Sequence, residues 1–212
     1  MKKSLIGLSA AALLVSACAT EGPSRRVWTG AGIGAATGAG LGTLAGGNDG
    51  RNAAIGAAVG ALAGAAVGDY MDRQERALKQ RTAGTGIEVV RQGDQIQLVA
   101  PSDITFALNS ADISPSFYPV LNDVAMTLKE FPSTAVDIVG HASADGPADY
   151  NQQLSERRAN SVLNYLGTQG VRPVRIQAYG MGETQLLPGV APESGANRRV
   201  EITLTPIVEQ TS

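Results

Sequence analysis

The sequence predicts an α+β fold: a βαβαβ mixed sheet with helices on one face, preceded by a glycine-zipper helical hairpin. Three patterns predict it. Short runs in the second half alternate apolar and polar residues with the period of two that a half-buried strand requires. Two longer runs between them repeat apolar residues at helical spacing. Ahead of both, glycine recurs at every fourth position. On these patterns the 212 residues divide into segments 1–17, 18–29, 30–68, 69–86 and 87–212.

Segment 1–17 reads as an export signal that is removed. Lys2 and Lys3 precede an apolar run over 5–15, which is shorter than the roughly 20 residues a spanning helix needs. The run ends in Val15-Ser16-Ala17-Cys18, and Cys18 is the only cysteine. A lone cysteine has no intrachain disulfide partner, and its place at a cleavage boundary argues against a core role. The four residues resemble the lipobox of bacterial lipoproteins, which implies acylation of Cys18 with palmitate-type chains and a lipidated linker over 18–29. Each buried CH2 contributes about 0.8 kcal/mol, so several chains are needed for long-lived attachment. Ala19, where an aspartate resembles an inner-membrane retention signal, implies the outer membrane, with the rest of the chain facing the periplasm.

Charge is divided unevenly. Residues 18–84 carry seven basic and five acidic residues, and residues 85–212 carry eight and fourteen. The acidic second half argues against nucleic acid as a partner. The basic half adjoins the lipid, which suits a membrane surface.

Segment 30–68 holds thirteen of the 26 glycines. One run is Gly30, Gly34, Gly38, Gly42 and Gly46; the other is Gly56, Gly60, Gly64 and Gly68, with a polar turn over 47–52 between them. A period of four places each row on one helix face, where two backbones approach closely. Each run would reach roughly 25 Å, a little short of a hydrocarbon core. A flexible Gly/Ala linker is the other reading of this composition, although linkers are rich in serine or proline and this stretch has neither. Glycine costs a helix about 0.5–1 kcal/mol each relative to alanine in water. The hairpin is therefore expected to form in lipid or by self-association of the zippers.

Segment 69–86 is densely charged, with Asp72–Arg76 and Glu75–Lys79 at i,i+4 spacing. It reads as a helical stalk leaving the membrane. From residue 87 the pattern becomes that of a compact domain. Alternating runs over 87–91 and 96–100 flank Gln92-Gly93-Asp94, a hairpin signal. A helix opens at Ser114-Pro115 with the stripe Phe117, Leu121, Val124, Leu128 and Phe131. A strand over 136–139 follows, then a helix over 148–168 with Tyr150, Leu154, Val162 and Leu166 on one face. Val174, Ile176 and Ala178 alternate with Arg175, Gln177 and Tyr179, and Val200, Ile202 and Leu204 alternate with Glu201, Thr203 and Thr205. This order implies a mixed sheet with its helices on one face.

Four ordered blocks carry a family resemblance: 106–113 (FALNSADI), 149–159 (DYNQQLSERRA), 180–183 (GMGE) and 197–202 (NRRVEI). They are similar to the motifs of OmpA C-terminal-like domains, over about residues 87–206. The layout as a whole resembles outer-membrane lipoproteins that place a glycine-zipper region before such a domain. The resemblance implies noncovalent binding of peptidoglycan through the diaminopimelate of the stem peptide. A ligand with an ammonium and carboxylates calls for a carboxylate, a cation and hydrogen-bonding groups around it. Arg158 falls on the family's ligand arginine, in a stripe between Leu154 and Val162 where leucine would be unremarkable. The other reading of Arg158 is a snorkelling or internally paired side chain. Asn151, Phe106 and Asn109 fall in the same motifs, while Arg157 reads as a surface or structural charge.

One position departs from the family. Its aspartate, three residues after the glycine that ends the strand, is replaced by Ser143. Serine can hydrogen-bond an ammonium but cannot neutralise it, a loss of roughly 1.5–3 kcal/mol. Asp145 either supplies the missing carboxylate from a reshaped loop or caps the turn. His141, the single histidine, reads as a packing or loop residue. Neither a metal-ligand cluster nor an oriented nucleophile–base pair is evident. The expectation is therefore a binding protein with no cofactor, not an enzyme. A tether between membrane and wall is one function this allows. An oligomerising zipper that the domain merely localises is another.

Overall fold

The computed structural model describes Leu62 and residues 66–107 and 109–208. The signal segment, the lipidated linker with Cys18 and nearly all of the glycine-zipper hairpin lie outside these residues.

Helix α1 (Val67–Arg81) opens the described body. It is followed by β1 (Glu88–Gln92), β2 (Gln95–Pro101), the one-turn α2 (Ser102–Thr105), α3 (Tyr118–Glu130), β3 (Thr134–His141), α4 (Ala148–Thr168), β4 (Ile176–Gly180) and β5 (Arg199–Pro206). The five strands form one sheet in the order β1-β2-β5-β3-β4. β3 and β4 are parallel, as a strand–helix–strand crossover through α4 requires. The other pairs are antiparallel, with Leu98 opposite Ile202 and Ile202 opposite Ile138 at the sheet's centre.

Alternation decides which face the helices cover. Ile96, Leu98, Val136, Ile138, Val200, Ile202 and Leu204 are buried on one side. Against them pack Leu121, Val124 and Leu128 of α3 and Ala159, Val162 and Leu166 of α4. Gln97, Thr203 and Glu201 line the opposite face, where Gln97 Nε2 donates to Glu201 Oε2 at 2.7 Å. The α+β class and mixed sheet expected from the sequence are what the chain forms. Tyr150, expected on the buried stripe of its helix, is 44 % exposed.

The stalk expected over 69–86 needs correcting. Helix α1 buries Val67, Met71, Gln74 and Leu78, spaced so that they share one face. That face packs against α3 and the β1–β2 hairpin. Tyr70 accepts a hydrogen bond from the Ser133 amide at 2.8 Å, and its ring meets Phe131 edge-on with centroids 5.3 Å apart. Arg81 donates to Thr127 and to Glu130, each at 2.7 Å. The Leu62 amide also donates to the Ile207 carbonyl at 2.7 Å. The packed body therefore begins some twenty residues before the expected boundary at 87. The charged face of α1 concealed its apolar one. None of the described helices is long and apolar enough to cross a membrane.

Arg175 is a second departure. The sequence puts it on the polar side of a strand, but Pro173–Arg175 forms a 3-10 turn and β4 starts one residue later. The side chain runs inward and donates to the carbonyls of Leu128, Phe131 and Thr134 and to Thr134 Oγ1, at 2.7–2.9 Å. It thereby satisfies carbonyls that the C-terminus of α3 leaves unpaired. Burial lowers its pKa to about 10.

Candidate functional site

β3 and β4 carry glycine at or next to their last residue, Gly140 and Gly180, for a steric reason. A Cβ on Gly140 would stand 2.2 Å from the Ser155 carbonyl oxygen, and one on Gly180 would stand 2.4 Å from Glu156 Cγ. Only without side chains can the first half of α4 lie against the carboxyl ends of these strands. That contact places Asn151, Ser155 and Arg158, at i, i+4 and i+7, along one helix face.

Two loops are fastened to this face. Asn151 is nearly buried, and its Nδ2 donates to the carbonyls of Ser143 and Asp145, at 3.1 and 3.3 Å, and to Glu183 Oε2 at 2.8 Å. Ser155 Oγ accepts from the Gly182 amide at 2.9 Å. The Ala142 amide bonds the Gly182 carbonyl at 2.7 Å, and that of Ala144 bonds Pro192 at 2.9 Å. Buried Asn197 holds the rest of the second loop, accepting from the Leu187 amide and donating to the carbonyls of Ala191 and Pro192.

The loop after α2 forms the third wall. Phe106 and Ile113 bridge its base. Asn109 turns it in the left-handed region at φ 51°, a conformation asparagine tolerates better than most residues. The loop then presents the Ser110 carbonyl to Arg158 Nε at 3.0 Å. The Phe106 ring lies 5.2 Å from the guanidinium carbon, a cation–π distance.

Arg158 is 5 % exposed, and among the described residues no carboxylate lies within ion-pair distance of it. Burial holds its pKa below the ordinary arginine value; the charges of Arg198 and Arg157 push the same way, while Tyr150 opposes them. The other buried arginines differ. Arg175 is saturated by carbonyls, and Arg199 bonds Glu201, the Asn197 carbonyl and the Gln185 carbonyl. Arg158 alone of the three carries a charge that the protein has not met with bonds to all its donor nitrogens. The exposed Arg198 adds a second cation, donating to buried Ser143 Oγ at 3.4 Å. Guanidiniums without a facing acid are chemically suited to a planar anion such as a carboxylate.

The structure thus sets Arg158 with Phe106, and Asn151 with the Ser143 loop, along one face of α4. Phe106 supports the guanidinium and is itself 3 % exposed. Asn109 sits exposed at a loop tip, where its backbone shapes the turn. Asp145 is exposed, and its carbonyl is what Asn151 secures. Sequence reasoning passed over Arg198 and Glu183. For Arg198 a signal existed: adjacent arginines entering a strand point to opposite sides, so Arg198 and Arg199 could not share a role. His141 Nε2 lies 3.7 Å from Glu201 Oε2, and among the described residues neither ring nitrogen has a hydrogen-bond partner. His141 and Ser143 are therefore not bonded as base and nucleophile.

Known proteins share this arrangement of motifs. Residues 105–199 match the OmpA family, and residues 1–72 match the YMGG-like Gly-zipper. Residues 105–199 are therefore similar to an OmpA-family domain. Three of the four motif blocks fall wholly within that match, with the fourth at its end. The OmpA-family core is extended here by α1 and the β1–β2 hairpin, which pack onto it from outside the matched residues. The chain is 44 % identical over 143 residues to probable lipoprotein YiaD of Escherichia coli, covering 66 % of this chain and 65 % of that protein. It is 36 % identical over 111 residues to peptidoglycan-binding protein ArfA of Mycobacterium tuberculosis, covering 51 % and 34 %. The chain thus spans less than two thirds of either relative. Among solved structures, the cell wall anchor of the T6SS from Pseudomonas aeruginosa superposes with a TM-score of 0.56 at 28 % identity, over 64 % of this chain and 99 % of that one.

Proposed function

We propose that this protein is an outer-membrane lipoprotein whose OmpA-family domain binds peptidoglycan noncovalently and so tethers the membrane to the wall. The observation that carries the reading is Arg158, nearly buried and without an acid partner beside it. An uncompensated buried charge costs several kcal/mol, and replacing it with an apolar side chain would relieve that cost. A ligand carboxylate that supplies the missing partner gives a reason to keep it. Arg158 and Arg198 would take a carboxylate of the diaminopimelate-containing stem. Asn151, Ser143, Asp145 and Asn109 shape or border the cleft, and Phe106 supports its floor. The names of ArfA and of the type VI anchor support a wall ligand for this domain, and the lipobox-like sequence at Cys18 supports attachment to outer-membrane lipid. This is a binding role, with no catalytic step.

Purified sacculi test it. The mature protein should sediment with sacculi, whereas a control lacking the domain should stay in solution; equal behaviour of the two would rule the reading out.

The match of residues 1–72 to a YMGG-like Gly-zipper supports a second reading, in which the zippers self-associate and the domain localises the assembly. Replacing Gly38 and Gly60 with leucine and crosslinking in membranes tests it. Loss of oligomers is the expected result, and an unchanged pattern would count against it.

A further inference from the structure

Glu183 is a partly buried acid with no cation at ion-pair distance among the described residues. Its carboxylate is nonetheless held in place. Oε2 accepts from Asn151 Nδ2 at 2.8 Å, and the Ser143 carbonyl accepts from that same nitrogen at 3.1 Å. These two oxygens therefore lie no more than about 6 Å apart. The Asp145 carbonyl is a third acceptor on Nδ2, at 3.3 Å. An amide nitrogen carries two hydrogens, so three acceptors exceed what Asn151 supplies. The cluster is rich in acceptors and includes one negative charge.

Of the two acids bonded to Asn151, only Glu183 takes part through its carboxylate. Asp145 contributes its backbone carbonyl, and the residue is exposed. An exposed acid must be ordered before it meets a ligand, which costs side-chain entropy, whereas Glu183 is already held. Ser143 also touches the opposite charge. Its hydroxyl accepts from Arg198 at 3.4 Å, and Arg198 forms no ion pair with Glu183. Around Ser143 the chain thus keeps a carboxylate and a guanidinium that are not paired with each other. A free amino-acid centre, with an ammonium and a carboxylate on one carbon, is ligand chemistry that satisfies both. An ammonium in the neighbourhood of Arg198 requires such an acid, because a like charge nearby disfavours the charged amine.

We propose that Glu183 receives the ammonium of a free amino-acid centre on the wall stem while Arg198 faces the carboxylate of that centre. The assignment rests on the peptidoglycan reading. Glu183 then does what Ser143 cannot, since a hydroxyl accepts a hydrogen bond and leaves the positive charge uncompensated. The stem centre with both groups free is the distal end of its diaminopimelate, and acylating that amine removes the charge that Glu183 meets.

The experiment is calorimetric titration of the full acylated chain in detergent with two synthetic stem tripeptides ending in diaminopimelate. One has its distal amine free, and the other has it acetylated. The parent should bind the free-amine stem roughly tenfold to a hundredfold more tightly, the value of one charge-assisted bond. Glu183→Gln keeps an oxygen for Asn151 and removes the charge alone, so it should bind the two stems nearly equally. Asp145→Asn should keep the parent's preference. Both stems are titrated against one protein, so misfolded material alters both stoichiometries and leaves the affinity ratio untouched.

A Glu183→Gln variant that keeps the parent's preference, even with both stems weakened, would overturn the proposal. Loss of the preference in Asp145→Asn would overturn it too, by giving the ammonium to Asp145. A parent that binds both stems equally and still sediments with sacculi would overturn the proposal and leave the peptidoglycan reading standing. Failure to bind both stems and sacculi alike would overturn that reading itself.

Discussion

Arg158 and Arg175 are both nearly buried, yet they stand in opposite relations to the fold. Arg175 serves the end of α3 and the start of β3 with every bond it makes. Replacing it with leucine strands those carbonyls, and we expect a stability loss of about 3 kcal/mol or more in urea unfolding. Arg158 bonds one carbonyl through Nε and leaves the rest of its charge to the cleft. Arg158→Leu should leave stability unchanged or raise it while abolishing wall binding, the pattern of a residue retained for function. A third residue gives the domain a pH dependence. His141 at 3.7 Å and Arg199 at 2.7 Å hold the Glu201 carboxyl down at about 2, overcoming the burial that would raise it. The Arg199 contact has hydrogen-bond length, and the imidazole stands farther off. A depressed carboxyl stabilises the fold fully above its unfolded value near 4.5, and the contribution fades as pH falls through 2. Glu201→Gln should lower stability by on the order of 2–3 kcal/mol at pH 6. The gap between variant and parent should close as pH approaches 2; a constant gap in urea midpoints would refute the assignment.

At the scale of elements, α1 changes most between sequence and structure. Its i,i+4 charge pairs are conspicuous, and Lys79 does bond Glu75 at 2.8 Å. The face that decides its place is Val67, Met71 and Leu78, diluted by Gln74, whose side chain donates to Thr134. A glutamine on an apolar stripe breaks the pattern that betrays a buried helix, which is why a stalk was the natural expectation. Leu78→Ala should cost about 2–5 kcal/mol of the domain's stability, and no effect would show that the helix is peripheral. In line with this, a protease that cuts after lysine and arginine should spare Arg73, Arg76 and Lys79 in the folded protein, because cleavage within a docked helix requires local unfolding. The strands and α4 were legible because their apolar residues keep a strict period. Arg175 was not, because Pro173 opens a turn that rotates the next residues off the strand's alternation. The cleft was legible as motifs, and Arg158 with Phe106, and Asn151 with the Ser143 loop, do lie along one face of α4. The absence of an acid beside Arg158 depends on which loops meet, and no local pattern encodes that.

For the whole molecule, the elements form one chain of consequence. Gly140 and Gly180 let α4 approach the strand ends, α4 positions Arg158, and the loops bonded to Asn151 and Ser155 close the cleft around it. At the other end of the described chain, α1 and the Leu62–Ile207 bond draw the approach from the glycine-zipper region onto the domain itself. The proposed tether joins the wall ligand held by the domain to the lipid at Cys18. Its central claim is that Arg158 meets a wall carboxylate. The most direct test is sedimentation with purified sacculi, comparing the parent chain with Arg158→Ala at matched folding. Parent protein should pellet with the sacculi, and the variant should bind at least tenfold more weakly, the loss of a charge-assisted contact. Equal binding by a correctly folded Arg158→Ala variant would contradict the account.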